Sequence, residues 1–253
     1  MEQKVIEGLK KEPLGKYKIF VSSAHTFGTD AVILSDFAAS SKKSPFLKHC
    51  DLGTGCGIIP LLMLKNGTVK SSVGVEIQKE GCILAEYSAK ENEINNIFSV
   101  INSDLNCLSN KLPFGEFDLV TCNPPYKAAG AGIKNKQDAQ TIARHETLCS
   151  LEDIVKVSAK LLKFSGRLSI CHRPERLADI FVTMRQFKIE PKRLRTVIQK
   201  QGEEPWLVLV EGRLGGKSGL KILPPLYVSE NGHFTEEMME IYGDYKEGRG
   251  DKI

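Results

Sequence analysis

The tetrapeptide Asn123-Pro124-Pro125-Tyr126 carries the most specific chemistry in this 253-residue chain. An amino nitrogen on an aromatic ring, or an amide nitrogen, is a poor nucleophile because its lone pair is delocalised. An Asn side-chain oxygen and the carbonyl of the residue after it can each accept one N–H from such a nitrogen. Those two bonds draw the nitrogen towards tetrahedral geometry and free the lone pair to attack. The prolines fix φ and restrain the residue before each of them to extended backbone, so Asn123 and the Pro124 carbonyl converge on one point. Tyr126 adds a flat face on which a planar target stacks. Asn123, Pro124 and Tyr126 are therefore the catalytic candidates, for substitution at a planar exocyclic nitrogen. A Pro-Pro turn can also be plain surface structure, but this one directly follows the apolar run Phe117–Cys122.

A second constellation lies upstream. Asp51-Leu52-Gly53-Thr54-Gly55-Cys56-Gly57 joins an apolar strand to an apolar helix. Glycines at such a turn permit positive φ and let the backbone approach a ligand. The dinucleotide fingerprint needs its last glycine one residue later, where Ile58 stands, and a phosphate loop would need Gly-Lys-Ser/Thr. Asp51 would repel a pyrophosphate and suits the cationic end of S-adenosylmethionine. Glu76 closes the next strand, where a carboxylate can accept both ribose hydroxyls, and Asp104 ends the third, within reach of an adenine amino group. The candidate cofactor set is Asp51, Gly53, Thr54, Gly55, Gly57, Glu76 with Ile77, Asp104 with Leu105, and Asn123.

Positioning these residues requires a particular frame. Short apolar or β-branched runs predict strands at Leu47–Leu52, Ser72–Ile77, Phe98–Ser103, Phe117–Cys122, Arg167–Cys171, Arg193–Val197 and Trp206–Arg213. Helices are expected over Asp30–Ala39, Ile58–Leu64, Lys79–Glu93, Leu151–Leu162, Glu175–Gln186 and Glu236–Tyr242, with Thr29 and Ser150 as caps. Strict alternation implies an α/β fold with a mainly parallel sheet and helices on both faces. The last strands, without a long helix between them, imply an antiparallel hairpin at one edge. One domain is expected, with a leader segment over 1–46, a core over 47–213 and an extension over 214–253.

Bulk properties add a partner and exclude others. The N-terminus is charged and holds no apolar run of signal-peptide or membrane-span length, so a cytoplasmic protein without a membrane partner is expected. The seven cysteines, at 50, 56, 82, 107, 122, 149 and 171, form no metal-spaced cluster, so reduced thiols and no metal are expected. Net charge is +4, yet residues 151–200 hold twelve Lys/Arg against five Asp/Glu. A basic stretch beside a mildly acidic remainder favours a polyanion such as RNA over solvated helix faces alone. Candidate RNA contacts are Lys127, Lys134, Lys136 and Arg144, in a loop also carrying His145 with Gly130 and Gly132 as hinges, together with Arg173, Arg193 and Arg195.

Taken together, the Gly-rich turn, the strand-end carboxylates and the tetrapeptide resemble the class I methyltransferases and their Rossmann-like seven-stranded fold. The stretch Phe20 to Leu34, with Gly28-Thr29-Asp30-Ala31, narrows the likeness to the bacterial tRNA1(Val) adenine-37 N6-methyltransferase family, over roughly residues 15–228. The resemblance implies that Thr29 and Asp30 belong to the cofactor set. It further implies a tRNA substrate methylated at adenine N6 beside the anticodon, and a monomer or weak homodimer. The leader has Val21-Ser22 where that family often carries a Gln. Three other readings stand beside it. A glutamine N5-methyltransferase of a release factor uses the same tetrapeptide, although its family places a longer helical domain before the Gly-rich turn. A ribosomal RNA guanine-N2 methyltransferase more often has Phe at position 126 and a duplicated domain. A noncatalytic RNA-binding protein with a retained pocket would be expected to have lost Asp51, Glu76 or part of the tetrapeptide.

Overall fold

The computed structural model describes residues 6–41, 44–124 and 150–248. An N-terminal hairpin, β1 (Lys10–Leu14) and β2 (Tyr17–Val21), precedes α1 (Thr29–Ala39). The core then alternates: β3 (Phe46–Leu52), α2 (Ile58–Lys65), β4 (Val69–Glu76), α3 (Lys79–Glu91), β5 (Phe98–Asn102) and β6 (Phe117–Cys122). It continues through α4 (Leu151–Leu161), β7 (Leu162–His172), α5 (Leu177–Gln186), β8 (Ile189–Ile198) and β9 (Pro205–Leu214). The tail adds short strands β10 (Lys221–Ile222) and β11 (Leu226–Tyr227), a small hairpin of β12 (Ser229–Glu230) with β13 (His233–Phe234), and α6 (Glu236–Tyr242).

The strand order is β5-β4-β3-β6-β7-β9-β8. The β5 to β7 half is parallel throughout, whereas β9 runs antiparallel to both its neighbours. The expected edge hairpin is thus β8–β9, with its second strand inserted inside its first. Both tail strands pair with the outer edge of β8, so the sheet has nine strands rather than seven. Those pairings cover an edge that would otherwise present open backbone groups.

Burial explains the elements. Every residue of β6 is buried, as a central parallel strand requires. All eight residues of α2 are buried, and Pro60 falls in its first turn, where a missing N–H costs nothing. Helix α4 begins in a complete capping box between Ser150 and Asp153. Two apolar cores sandwich the sheet. One gathers α1, α2, α3 and the N-terminal hairpin, and the other gathers α4 and α5. The chain leaves β3 towards β4 and β5, then returns to the opposite side of β3 as β6. That reversal sets the carboxyl ends of β3 and β6 side by side, with Leu52 in register with Cys122. Such a switch point is where open α/β sheets bind ligands. Among the described residues no helix is long and apolar enough to cross a membrane.

Candidate active site

A cavity of about 270 Å³ opens at this switch point. The turn after β3 contributes Gly53 and Gly55, the end of β4 Glu76 and Ile77, the segment after β5 Asp104 and Leu105, and the end of β6 Asn123 and Pro124. Sequence positions up to 71 residues apart therefore meet in one space, as the strand ends predict.

Gly53 (φ 71°) and Gly55 (φ 54°) adopt left-handed backbone, and nothing lies within 4 Å of where a Cβ would stand. The turn accordingly offers bare backbone to a ligand. Gly57 is required for another reason. At φ 86° it starts α2, and a Cβ there would press on Ala85 and Phe98 at 3.1 Å. Thr54 is buried against Gly74 of β4, where a Cβ would sit 2.6 Å from the Thr54 methyl. Glu76 steadies the turn by accepting the Gly55 N–H at 2.9 Å through one carboxylate oxygen and the Gln78 N–H at 2.8 Å through the other. Each oxygen keeps a further lone pair for a ligand hydroxyl. Asp104 stands two residues beyond the end of β5 rather than on it, and caps a short 3-10 turn by accepting the Asn106 N–H. Ile77, though apolar, is 43% exposed and lines the cavity with Leu105, giving a flat ligand ring two apolar neighbours.

Asp51 sits behind the turn, fully buried, and does not line the cavity. Burial pushes its carboxyl up to about 7, against the opposing pull of the Thr121 hydroxyl, which donates to Oδ1 at 2.5 Å.

Asn123 is held at both ends of its carboxamide. Its Nδ2 donates to Asp30 Oδ2 at 3.0 Å, and its Oδ1 accepts from the Cys171 thiol at 3.0 Å. The thiol takes one of two lone pairs on Oδ1, and the other remains for a substrate N–H. Asp30 thus reaches the site through Asn123. Gly28 makes room for it, since a Cβ there would lie 2.5 Å from the Asp30 carboxylate. Thr29 is bonded to Tyr242 of α6 at 2.8 Å, which ties the start of α1 to the tail.

Tyr126, Lys127, Lys134, Lys136, Arg144 and His145 lie outside the described residues. Arg173 follows β7, and the buried Nε and Nη2 of its guanidinium find no partner among the described residues. Arg193 and Arg195 are engaged within the fold. Arg193 packs over the Phe37 ring, bonds the Phe37 carbonyl and Ser40, and pairs with buried Glu211. Arg195 bonds the Pro224 carbonyl and Glu237. Neither lines the cavity. Sequence reasoning missed His25, Gln78, Ser103 and Ile154 on the cavity wall, and Cys171 beside Asn123. Cys171 had a usable signal, because it stands near the end of β7, the parallel neighbour of β6.

The chain matches the family model described as the methyltransferase small domain over residues 19–187. It is 28% identical to the tRNA1(Val) (adenine(37)-N6)-methyltransferase of Porphyromonas gingivalis over 74% of this chain and 73% of that protein. With the protein of the same name from Proteus mirabilis it shares 23% identity over 97% of this chain and 98% of that one. Its fold resembles the crystal structure of a predicted O-methyltransferase from Agrobacterium tumefaciens, with a TM-score of 0.67 at 19% identity over 86% of this chain and 97% of that one. It also resembles M. jannaschii TYW2 in complex with AdoMet, with a TM-score of 0.56 at 13% identity over 84% of this chain and 88% of that one. A parallel sheet with an inserted antiparallel strand, a bare glycine turn at its switch point and an anchored Asn-Pro beside it agree with that match: the chain belongs to the methyltransferase small-domain family.

Proposed function

We propose that this methyltransferase transfers a methyl group from S-adenosylmethionine to N6 of an adenine in tRNA, at position 37 of a valine tRNA. The observation that carries the reading is the clamped carboxamide of Asn123 at the cavity wall. The residues fit the cofactor: the Gly53–Gly55 turn leaves open space where side chains would stand, Glu76 retains acceptor capacity, and Ile77 and Leu105 flank the place for a ring. When bound, the cofactor supplies an electrophilic methyl on a sulfonium. Asn123 Oδ1 and the Pro124 carbonyl accept the two protons of the target amino group, and the lone pair turns towards the methyl. No strong base is needed, because the methylated nitrogen is cationic and sheds its proton readily. Tyr126 stacks the target ring, and Lys127, Lys134, Lys136, Arg144 and Arg173 meet the RNA backbone. An anticodon-loop base is already partly unstacked, which lowers the cost of presenting it below the few kcal/mol needed in a duplex.

Sequence likeness to the Porphyromonas and Proteus proteins supports tRNA over protein as substrate. The test is transfer of labelled methyl to tRNA from a strain lacking the modification, with the product nucleoside identified by mass spectrometry. N6-methyladenosine is the expected product. Transfer to a release factor but not to tRNA would replace the RNA reading with the glutamine one.

A further inference from the structure

His49 is a fully buried histidine in the middle of β3, and nothing in the transfer chemistry above uses it. Both ring nitrogens are engaged: Nδ1 lies 2.9 Å from the Ser72 hydroxyl on β4, and Nε2 lies 2.8 Å from the Thr121 hydroxyl on β6. Thr121 in turn donates to Asp51 Oδ1. A hydroxyl has one proton, so with that proton on Asp51 the Thr121 oxygen must accept from His49 Nε2–H. Nδ1 then accepts from Ser72. The three strands are thereby laced by a one-way chain, Ser72 to His49 to Thr121 to Asp51. All four members are buried, and the chain ends directly behind the Gly53–Gly55 turn.

We propose that His49 is a positioning residue for cofactor binding: through Thr121 it stabilises the carboxylate form of Asp51, whose charge behind the glycine turn favours a cationic ligand in the cavity. The proposal rests on the cofactor reading above. Imidazole suits the position because it can reverse. When Asp51 is protonated, its own O–H donates to Thr121, Thr121 donates to Nε2, and His49 becomes the Nδ1–H tautomer donating to Ser72. No donor is lost in either direction, but the bond from Thr121 to a carboxylate is charge-assisted and the stronger of the two, so the chain still favours the ionised form. Burial holds the ring far below its ordinary range, at about 3, so it stays neutral while Asp51 titrates. Of the other groups around it, Glu76 from β4 opposes Asp51 ionisation by its charge and the Thr54 hydroxyl favours it, while the thiols of Cys50 on its own strand and Cys56 before α2 are pushed up by burial and stay neutral beside it.

The test is the pH dependence of S-adenosylmethionine affinity, measured by calorimetry between pH 5.5 and 9 on the full chain. Affinity should rise as pH climbs through the Asp51 transition. Thr121→Val removes the hydroxyl through which His49 reaches Asp51, leaves Thr54 in place, and should move the midpoint upward by about one unit, since a hydrogen bond to a charged group is worth about that much. Thr121→Ser keeps the hydroxyl and should leave the midpoint in place. The ligand's own amino group titrates alike in all three proteins, so it cancels. An unshifted midpoint in a folded Thr121→Val protein overturns the proposal. A wild-type protein that binds the cofactor at no pH refutes the cofactor reading instead. A second measurement covers a valine variant that does not fold. In protein labelled with ¹⁵N-histidine, the His49 signals, assigned by their loss in His49→Gln, should switch from Nε2–H to Nδ1–H as pH falls. One tautomer at every pH also overturns the proposal.

Discussion

Two carboxylates at the site do different work, and the difference follows from what surrounds each. Asp30 accepts from the Asn123 amide and so fixes which end of that carboxamide can accept from a substrate. Asn123→Ala should abolish methyl transfer while cofactor binding by calorimetry persists, and equal loss of both would remove the catalytic role. Asp30→Ala leaves the acceptor held at one end only, by the Cys171 thiol. About a tenfold fall in kcat is expected, with little change in cofactor affinity, for one lost hydrogen bond to a charged group. Asp51 instead is placed at an energetic cost. Its folded value of about 7 lies above the ordinary 3.8, so the fold favours its protonated form. That contribution is full below pH 4 and is lost as pH rises through 7, amounting to about 4 kcal/mol at most. His49 acts in the opposite sense: held neutral, it contributes above pH 6.5 and its contribution is lost as pH falls towards 3. Asp51→Asn should therefore melt several degrees higher than the wild type at pH 8, with a much smaller gain at pH 5, and should bind the cofactor more weakly. An equal gain at both pH values would show that the carboxylate is not titrating between them. The sequence exposes Asn123 and Asp51 through their motifs. It does not expose the Asp30 and Cys171 contacts to Asn123, which span 93 and 48 residues and exist only once the sheet has formed.

At the scale of the elements, apolar strands bounded by turn residues were legible, and most core elements stand within three residues of their expected ends, although β7 starts five residues and β8 four residues before the expected Arg167 and Arg193. The N-terminal hairpin was not. Lys10–Leu14 carries three charged or basic side chains around Pro13, and its partner Tyr17–Val21 is short, so neither presents the apolar run of a core strand. The pair is held by β2 packing on α3, where the Phe20 N–H bonds the Ser88 hydroxyl at 2.9 Å and the Phe20 ring meets Tyr87 edge-on. The tail strands were equally hidden, since two-residue pairings on β8 leave no periodicity to read. Inside the sheet, Gly74 is the position where an element meets the site. Gly74→Ala would drive a methyl into Thr54, so a loss of about 1–3 kcal/mol in urea unfolding is expected, together with weaker cofactor binding. Loss of stability with an unchanged dissociation constant would show that the turn tolerates a displaced Thr54.

Over the whole molecule, the basic balance of residues 151–200 proved a blunt guide. Arg193 and Arg195 draw on the same charge count as Arg173, yet both are spent on Glu211, Glu237 and backbone carbonyls, and only the fold distinguishes them. The two ends of the described chain meet on one side of the sheet. Tyr242 bonds Thr29, Phe27 packs against Tyr245, and Lys65 of α2 pairs with Asp244. Tyr242→Phe should therefore lower kcat several-fold through a loosened start of α1, leave tRNA affinity in filter binding unchanged, and shift the melting temperature only slightly. A wild-type kcat would show that Thr29 needs no partner.

That contact between Tyr242 and Thr29 also bears on the order of events during synthesis. Helix α1 emerges from the ribosome early and β6 with Asn123 midway, yet the hydroxyl that steadies the residue beside Asp30 arrives more than a hundred residues after Asn123. A nascent chain can hold sheet and glycine turn and still lack the support for its amide clamp. The loss expected for Tyr242→Phe then extends to a chain released before α6, which should transfer methyl groups more slowly than the full chain.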